Sequence, residues 1–312
     1  MKINSDKSEM LVVTAGATYL DIDAYACAVA LAELLNLKGE RAIAYSEAPY
    51  NYSICESLIK NGQINRKLPQ EYLSEKTRYI IVDVSDPEFL KNSVPLDKVV
   101  EIYDHHVGFE KYWTSRIGCG AHIEFIGAAA TLIYREWKRA GLVSEMSQNT
   151  ALLLIAAILD NTLNLTSANT TDEDVEAFNK LCQIADVGPE WCAEYFKSVQ
   201  KNVEADLKNA LFKDLKTVRD NEFLPPKVAQ LCVWDAESVL DRLHEIGTYF
   251  SELSEKFMIN IIDVKHYCSY FVCNCEKSKK KIENLFKVQF ESDVAKTKTA
   301  YLRKEIIKKT LL

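Results

Sequence analysis

The chain has 312 residues, enough for two domains that each bury a core. Hydrophobic residues make up 48% and charged ones 27%, as in a soluble globular protein, and no stretch approaches the ~20 apolar residues that a membrane span needs. The net charge of −7 argues against general nucleic-acid binding, so neither a membrane nor a stable nucleic-acid partner is expected.

The opening MKINSDKSEMLVV lacks the apolar run of a signal peptide, which predicts a cytoplasmic protein whose nine cysteines are reduced thiols. Cys273 and Cys275 form a C-x-C, but there are no paired C-x-x-C knuckles for zinc. Charge is unevenly placed: residues 271–312 hold eleven Lys or Arg against five Asp or Glu. A basic C-terminal piece and an acidic remainder suit an anionic substrate bridged by cations, although a solvated helix face has the same composition.

In chain order, residues 10–14 (MLVVT) predict a strand, followed at 23–35 by a helix of small and apolar residues suited to packing on a sheet. Further strands are predicted at 41–45, 79–83 and 99–104, and helices at 128–138 and 150–159. This alternation points to an α/β protein with a doubly wound parallel sheet over residues 1–190. A long polar helix at 191–212 reads as a linker, and a smaller α/β domain of mixed sheet follows at 213–312. Its predicted elements are strands at 227–234, 257–263 and 267–273 and an amphipathic helix at 236–253.

Three of the predicted N-terminal strands run into acids: the first into Asp21-Ile-Asp23, the third into Asp83, the fourth into Asp104-His105-His106. In a parallel α/β sheet the strand C-termini converge on one edge, where ligands bind. Each acid alone is equally a helix cap or a turn residue. Together, in that order on successive strand ends, they suit Mn²⁺ or Mg²⁺, since oxygen ligands dominate and no thiolate is offered.

D-I-D-A at 21–24, V-D at 82–83, D-H-H at 104–106 and the helical Asp160, preceded by Gly127-Ala-Ala-Ala, resemble the four motifs of the DHH phosphoesterases. Asp214-Leu-Lys216, the strand ending in Trp234-Asp235, and Leu302-Arg303-Lys304 are similar to landmarks of the C-terminal domain shared by family II inorganic pyrophosphatases and the exopolyphosphatase/prune branch. The resemblance implies metal-dependent hydrolysis of phosphoanhydride bonds in pyrophosphate or polyphosphate by a metal-activated water, in a cleft between the two domains. It implies two ions, with Asp83 bridging both, Asp21 on the first, and Asp23, His105 and Asp160 on the second. His106, with Asp104, would be catalytic. Lys216 (or the nearby Lys213), Arg303 and Lys304 would clamp the phosphate oxygens. A homodimer is left open.

The chain departs from the family pattern at two places. Ala17 stands where the family carries His or Asn, so the first metal site has only Asp21 and Asp83 as protein ligands and is expected to be weak. Leu302 replaces a Ser, and Glu305 stands where a second Lys is usual. The Ala17 change leaves room for a low-activity metal- and phosphate-binding regulator. A phosphodiesterase on short oligonucleotides or cyclic dinucleotides is a further alternative, but no G-G-H stretch follows residue 190. His122, His244 and His266 read chiefly as structural.

Overall fold

The structure is a computed structural model and describes residues 9–16, 19–60, 64–90, 92–218, 221–251 and 256–311. Ala17 lies outside the described residues. The chain divides into two compact units, Met1–Leu165 with Asn169–Gly188, and Thr166–Ala168 with Pro189–Leu312.

The first unit contains β1 (Met10–Thr14), α1 (Ile22–Leu37), β2 (Ala42–Ala44), α2 (Glu56–Ile59), β3 (Thr77–Val82), α3 (Pro87–Leu90), β4 (Val99–Asp104), α4 (Glu110–Ile117), β5 (Ala121–Ile123), α5 (Ala129–Ala140), α6 (Gln148–Thr162) and α7 (Asp172–Ala185). Its five strands are all parallel, in the order β2-β1-β3-β4-β5. Strand order reverses between β1 and β3, which creates a crevice beyond their C-terminal ends. The run Ile80, Ile81, Val82 is buried on both faces, which is why it reads as continuous apolar sequence rather than an alternation. One face is closed by Val12, Tyr79, Ile81, Ile102 and Trp113. Helices α1, α5 and α6 pack on one another, and α1 also lies against β1. Trp113 is fully buried and donates from Nε1 to the Ser85 carbonyl at 2.6 Å, tying α4 to the loop after β3.

The second unit contains α8 (Glu190–Ala205), α9 (Leu207–Lys213), β6 (Lys216–Thr217), β7 (Lys227–Val233), α10 (Glu237–Leu240), α11 (Leu243–Ser251), β8 (Phe257–Asp263), β9 (Cys268–Cys273), α12 (Glu276–Phe286), β10 (Val294–Lys296) and α13 (Arg303–Leu311). Its sheet, in the order β10-β9-β8-β7-β6, is mixed: β7 and β8 are parallel and the other pairs antiparallel. Every residue of β8 is buried. The segment read as one linker helix is two helices, broken at Asp206, whose side chain caps α9 by accepting from the Asn209 N–H. Both pack on β7, because Tyr195, Phe196, Val199, Val203 and Leu211 form an apolar stripe at helical spacing.

Three short strands, β5, β6 and β10, were not expected from the sequence. Two or three residues carry too little alternation to be read. None of the described helices is long and apolar enough to cross a membrane.

Candidate metal centre

The crevice at the β1/β3 switch point is where the sequence places its acids. Asp21 is the N-cap of α1, its side chain accepting the Ala24 N–H at 3.0 Å. Asp23, two residues on, is fully buried. Its Oδ2 accepts the Ala129 N–H and its Oδ1 the Ala130 N–H, both at 2.9 Å. These belong to the first turn of α5, which has no side-chain cap of its own. A carboxylate from another helix thus satisfies orphan N–H groups at the positive end of the α5 dipole. The Cys27 thiol, one turn along α1, donates to Asp23 Oδ1 at 3.4 Å.

Asp83 follows β3 in the left-handed region, with φ of 59°, an unfavoured conformation for a residue with a Cβ. Its backbone N–H donates to Tyr103 O at 2.8 Å, so the β3–β4 ladder fixes the bend. Backbone strain held in place by surrounding structure is common at functional sites.

His105 is buried, and its Nδ1 meets the Gly127 carbonyl at 2.9 Å and the Ile126 carbonyl at 3.3 Å. Carbonyls only accept, so Nδ1 carries the proton and Nε2 presents a lone pair. That Nε2 lies 3.3 Å from Asp83 Oδ1 and 3.9 Å from Asp23 Oδ2. An imidazole whose second nitrogen is anchored to a carbonyl is the usual form of a metal-ligating histidine. His106 has its Nδ1 2.8 Å from Oδ1 of the buried Asp104, and its side chain is half exposed. Ligand atoms of Asp83, His105 and His106 all fall within 4.8 Å of one another.

The electrostatics ask for a cation. Burial, then the neighbouring Asp21, pushes the Asp23 carboxyl up to about 7 despite its two backbone donors. Burial and the charges of Asp23 and Asp83 push the Cys27 thiol well above its usual range, so it offers no thiolate. Carboxylate oxygens with one imidazole lone pair, in a pocket where negative charge is costly, fit a divalent cation that prefers oxygen.

The remaining expected residues lie on several elements. Asp160 occupies the last turn of α6, a helix packed along α1, and its charge helps raise the Cys55 thiol, after burial, to about 12. His122 lies in β5 with its ring stacked on Tyr103 at 4.6 Å. The three expected phosphate clamps belong to the second unit. Lys216 is exposed on β6 and Lys304 half-buried on α13. Arg303 is buried, and its Nη2 and Nη1 contact Asp214 Oδ1 at 2.8 Å and Oδ2 at 3.0 Å. That guanidinium braces α13 against the segment after α9, a role that its place in a basic motif does not reveal. A second group within 4.8 Å, Asp235, Asp263 and His266, is already served internally: Lys265 sits 2.8 Å from Asp235, and Asp263 accepts from His266 and the Ala236 N–H.

Gly127, Ala129 and Ala130 act through their backbones, which residue chemistry does not show. The one signal for them is the run of small residues 127–130 at the head of a helix.

No family model matches the chain. A probable manganese-dependent inorganic pyrophosphatase of Staphylococcus haemolyticus is 27% identical, covering 88% of this chain and 89% of that protein. The manganese-dependent inorganic pyrophosphatase of Bacillus subtilis is 26% identical over 91% and 92%. The chain resembles the family II inorganic pyrophosphatases along its length. Among solved structures, the putative family II inorganic pyrophosphatase of Methanococcus jannaschii superposes with a TM-score of 0.67 at 21% identity, covering 97% of this chain and 98% of that one. An exopolyphosphatase-related protein of Bacteroides fragilis gives a TM-score of 0.52 at 12% identity, covering 96% and 90%. The pyrophosphatase-like α/β fold expected from the sequence is the fold observed.

Proposed function

We propose that the chain hydrolyses a phosphoanhydride bond, with pyrophosphate or a short polyphosphate as substrate and Mn²⁺ or Mg²⁺ as cofactor. The observation that carries this reading is the meeting of Asp23, Asp83 and His105 at the β1/β3 switch point, with the His105 Nε2 lone pair turned toward both carboxylates. The manganese dependence in the names of the relatives supports the same chemistry.

Asp83, Asp23 and His105 would hold the cation, with Asp160 completing that site and Asp21 serving a second ion shared through Asp83. Ions bound there supply Lewis-acid charge to phosphate oxygens and lower the pKa of water. His106, its Nδ1–H held by Asp104, would in the imidazolium form donate its Nε2 proton to the leaving phosphate oxygen or steady its charge. Lys304 and Lys216 would pair with non-bridging oxygens. Arg303, engaged with Asp214, would act by fixing Lys304 at the start of α13. The pattern suits an anionic small-molecule substrate.

Phosphate release from pyrophosphate, tripolyphosphate and long-chain polyphosphate, each with Mn²⁺ and with Mg²⁺, tests the reading. Release from pyrophosphate or tripolyphosphate is expected. Hydrolysis of a dinucleotide phosphodiester in place of all three would overturn it.

A further inference from the structure

Asp174, on the first turn of α7, is fully buried, and nothing in the chemistry above uses it. Four donors converge on its carboxylate. Oδ2 accepts the Gly127 N–H at 3.0 Å, the Thr171 N–H at 2.8 Å and the Thr171 hydroxyl at 2.7 Å; Oδ1 accepts the Thr131 hydroxyl at 2.5 Å. The Thr171 contacts form an ordinary capping box. The contacts to Gly127 and Thr131 do not, since they reach across to the segment that opens α5.

That segment touches the metal centre twice. The Gly127 carbonyl accepts from His105 Nδ1, while the N–H groups of Ala129 and Ala130 hold the two oxygens of Asp23. Gly127 is confined between its neighbours: a Cβ there would lie 2.5 Å from Asp174 Oδ2 and 2.6 Å from Thr162 Cγ2. Asp174 therefore grips both ends of a short stretch, Gly127 and Thr131, whose middle orients one expected ligand and whose start orients another.

We infer that Asp174 is a positioning residue for the metal centre, acting through the Gly127–Thr131 segment on His105 and Asp23 together. The inference rests on the reading of those two residues as ligands. The Gly127 and Thr171 N–H groups can only donate and both meet Oδ2, so an amide would have to keep its oxygen there and turn its NH₂ toward Thr131, reversing that hydrogen bond and losing the charge. Loss of such outer partners weakens metal binding about 10–100-fold in comparable sites.

The test is Mn²⁺ titration calorimetry on the full chain, with thermal unfolding in EDTA and ¹⁵N NMR of the histidines in the metal-free protein. Asp174→Asn is expected to weaken Mn²⁺ at least tenfold and to shift His105 from a single Nδ1–H tautomer to a mixture. Thr171→Ala, which breaks the helix cap but leaves the grip on Gly127 and Thr131, is expected to lower unfolding temperature with Mn²⁺ affinity within threefold. Thr131→Val, a milder change should Asp174→Asn fail to fold, is expected to weaken Mn²⁺ in the same direction. Unchanged affinity in Asp174→Asn, or in Thr131→Val if only that variant folds, overturns the inference. So does an equal loss in Thr171→Ala. If the unsubstituted chain binds no Mn²⁺, the metal reading itself fails, and this inference with it.

Discussion

Nδ1 of His106 lies 2.8 Å from Oδ1 of Asp104, and the same oxygen accepts the His106 backbone N–H at 3.0 Å. Asp104 is fully buried and His106 half exposed, so the carboxylate fixes a ring whose other edge is open to chemistry. His106→Ala is expected to cut kcat by about 10²-fold, the scale of a lost acid–base group, with metal content near that of the unsubstituted chain. Asp104→Asn should lower kcat in the same direction by releasing the tautomer. Rates and metal analysis on both variants check this; collapse of metal content in His106→Ala would show that the roles of His105 and His106 are exchanged.

The second prediction is a pH dependence. Burial, with Asp21 beside it, raises the Asp23 carboxyl from 3.8 to about 7 in the metal-free protein. The folded chain therefore keeps a proton that the unfolded chain has lost between those two values. The stability this proton contributes is fully present below about pH 4 and is lost as pH rises through about 7. A cation must displace the same proton, so Mn²⁺ affinity should climb by up to about tenfold per pH unit toward 7 and then level off. Calorimetric titrations from acid to mildly alkaline pH check this, and an affinity flat across the range would contradict it.

Arg303 and Lys304 are neighbours with different expected effects. Arg303 is bonded to Asp214 with both side chains 8% exposed, so Arg303→Ala removes the cationic partner of a buried carboxylate and should cost about 3–5 kcal/mol of stability. Lys304→Ala should leave the unfolding temperature unchanged and raise KM for pyrophosphate about tenfold, the scale of a lost charge-assisted hydrogen bond. Thermal unfolding and steady-state kinetics on the pair separate the two.

An alanine side chain offers no ligand atom, and Ala17 stands where the family resemblance leads one to expect His or Asn. Two metal affinities are therefore expected in the resting chain, the weaker one at Asp21, with activity still rising after the tight site is full. Ala17→His should tighten the weak site. Two equally tight sites in the unsubstituted chain, seen by Mn²⁺ calorimetry, would contradict this.

Much of the fold could be read from the sequence, because buried parallel strands make continuous apolar runs, three of which run into acids. The short edge strands β5, β6 and β10 could not, since two or three residues hold no period. Nor could the break at Asp206, where a side chain that caps the next helix looks like one more polar residue of a long one. At the site, Asp21, Asp23, Asp83 and the D-H-H run announce themselves by residue type. What orients them is backbone: the N–H groups of Ala129 and Ala130 and the carbonyls of Ile126 and Gly127. The hold of Asp214 on the Arg303 guanidinium is likewise hidden, because an Arg-Lys pair says nothing of a carboxylate far away in sequence.

Asp83 lies at the end of β3 and is the residue proposed to hold the cation, so the most direct measurement is made on it. The initial rate of phosphate release from pyrophosphate is followed across a Mn²⁺ titration, for the unsubstituted chain and for Asp83→Ala. The account predicts a rate that rises with Mn²⁺ in the first, is abolished by chelator, and is lost in Asp83→Ala at every metal concentration. No release from the unsubstituted chain at saturating Mn²⁺ or Mg²⁺, or more than half the rate retained in Asp83→Ala, would contradict it.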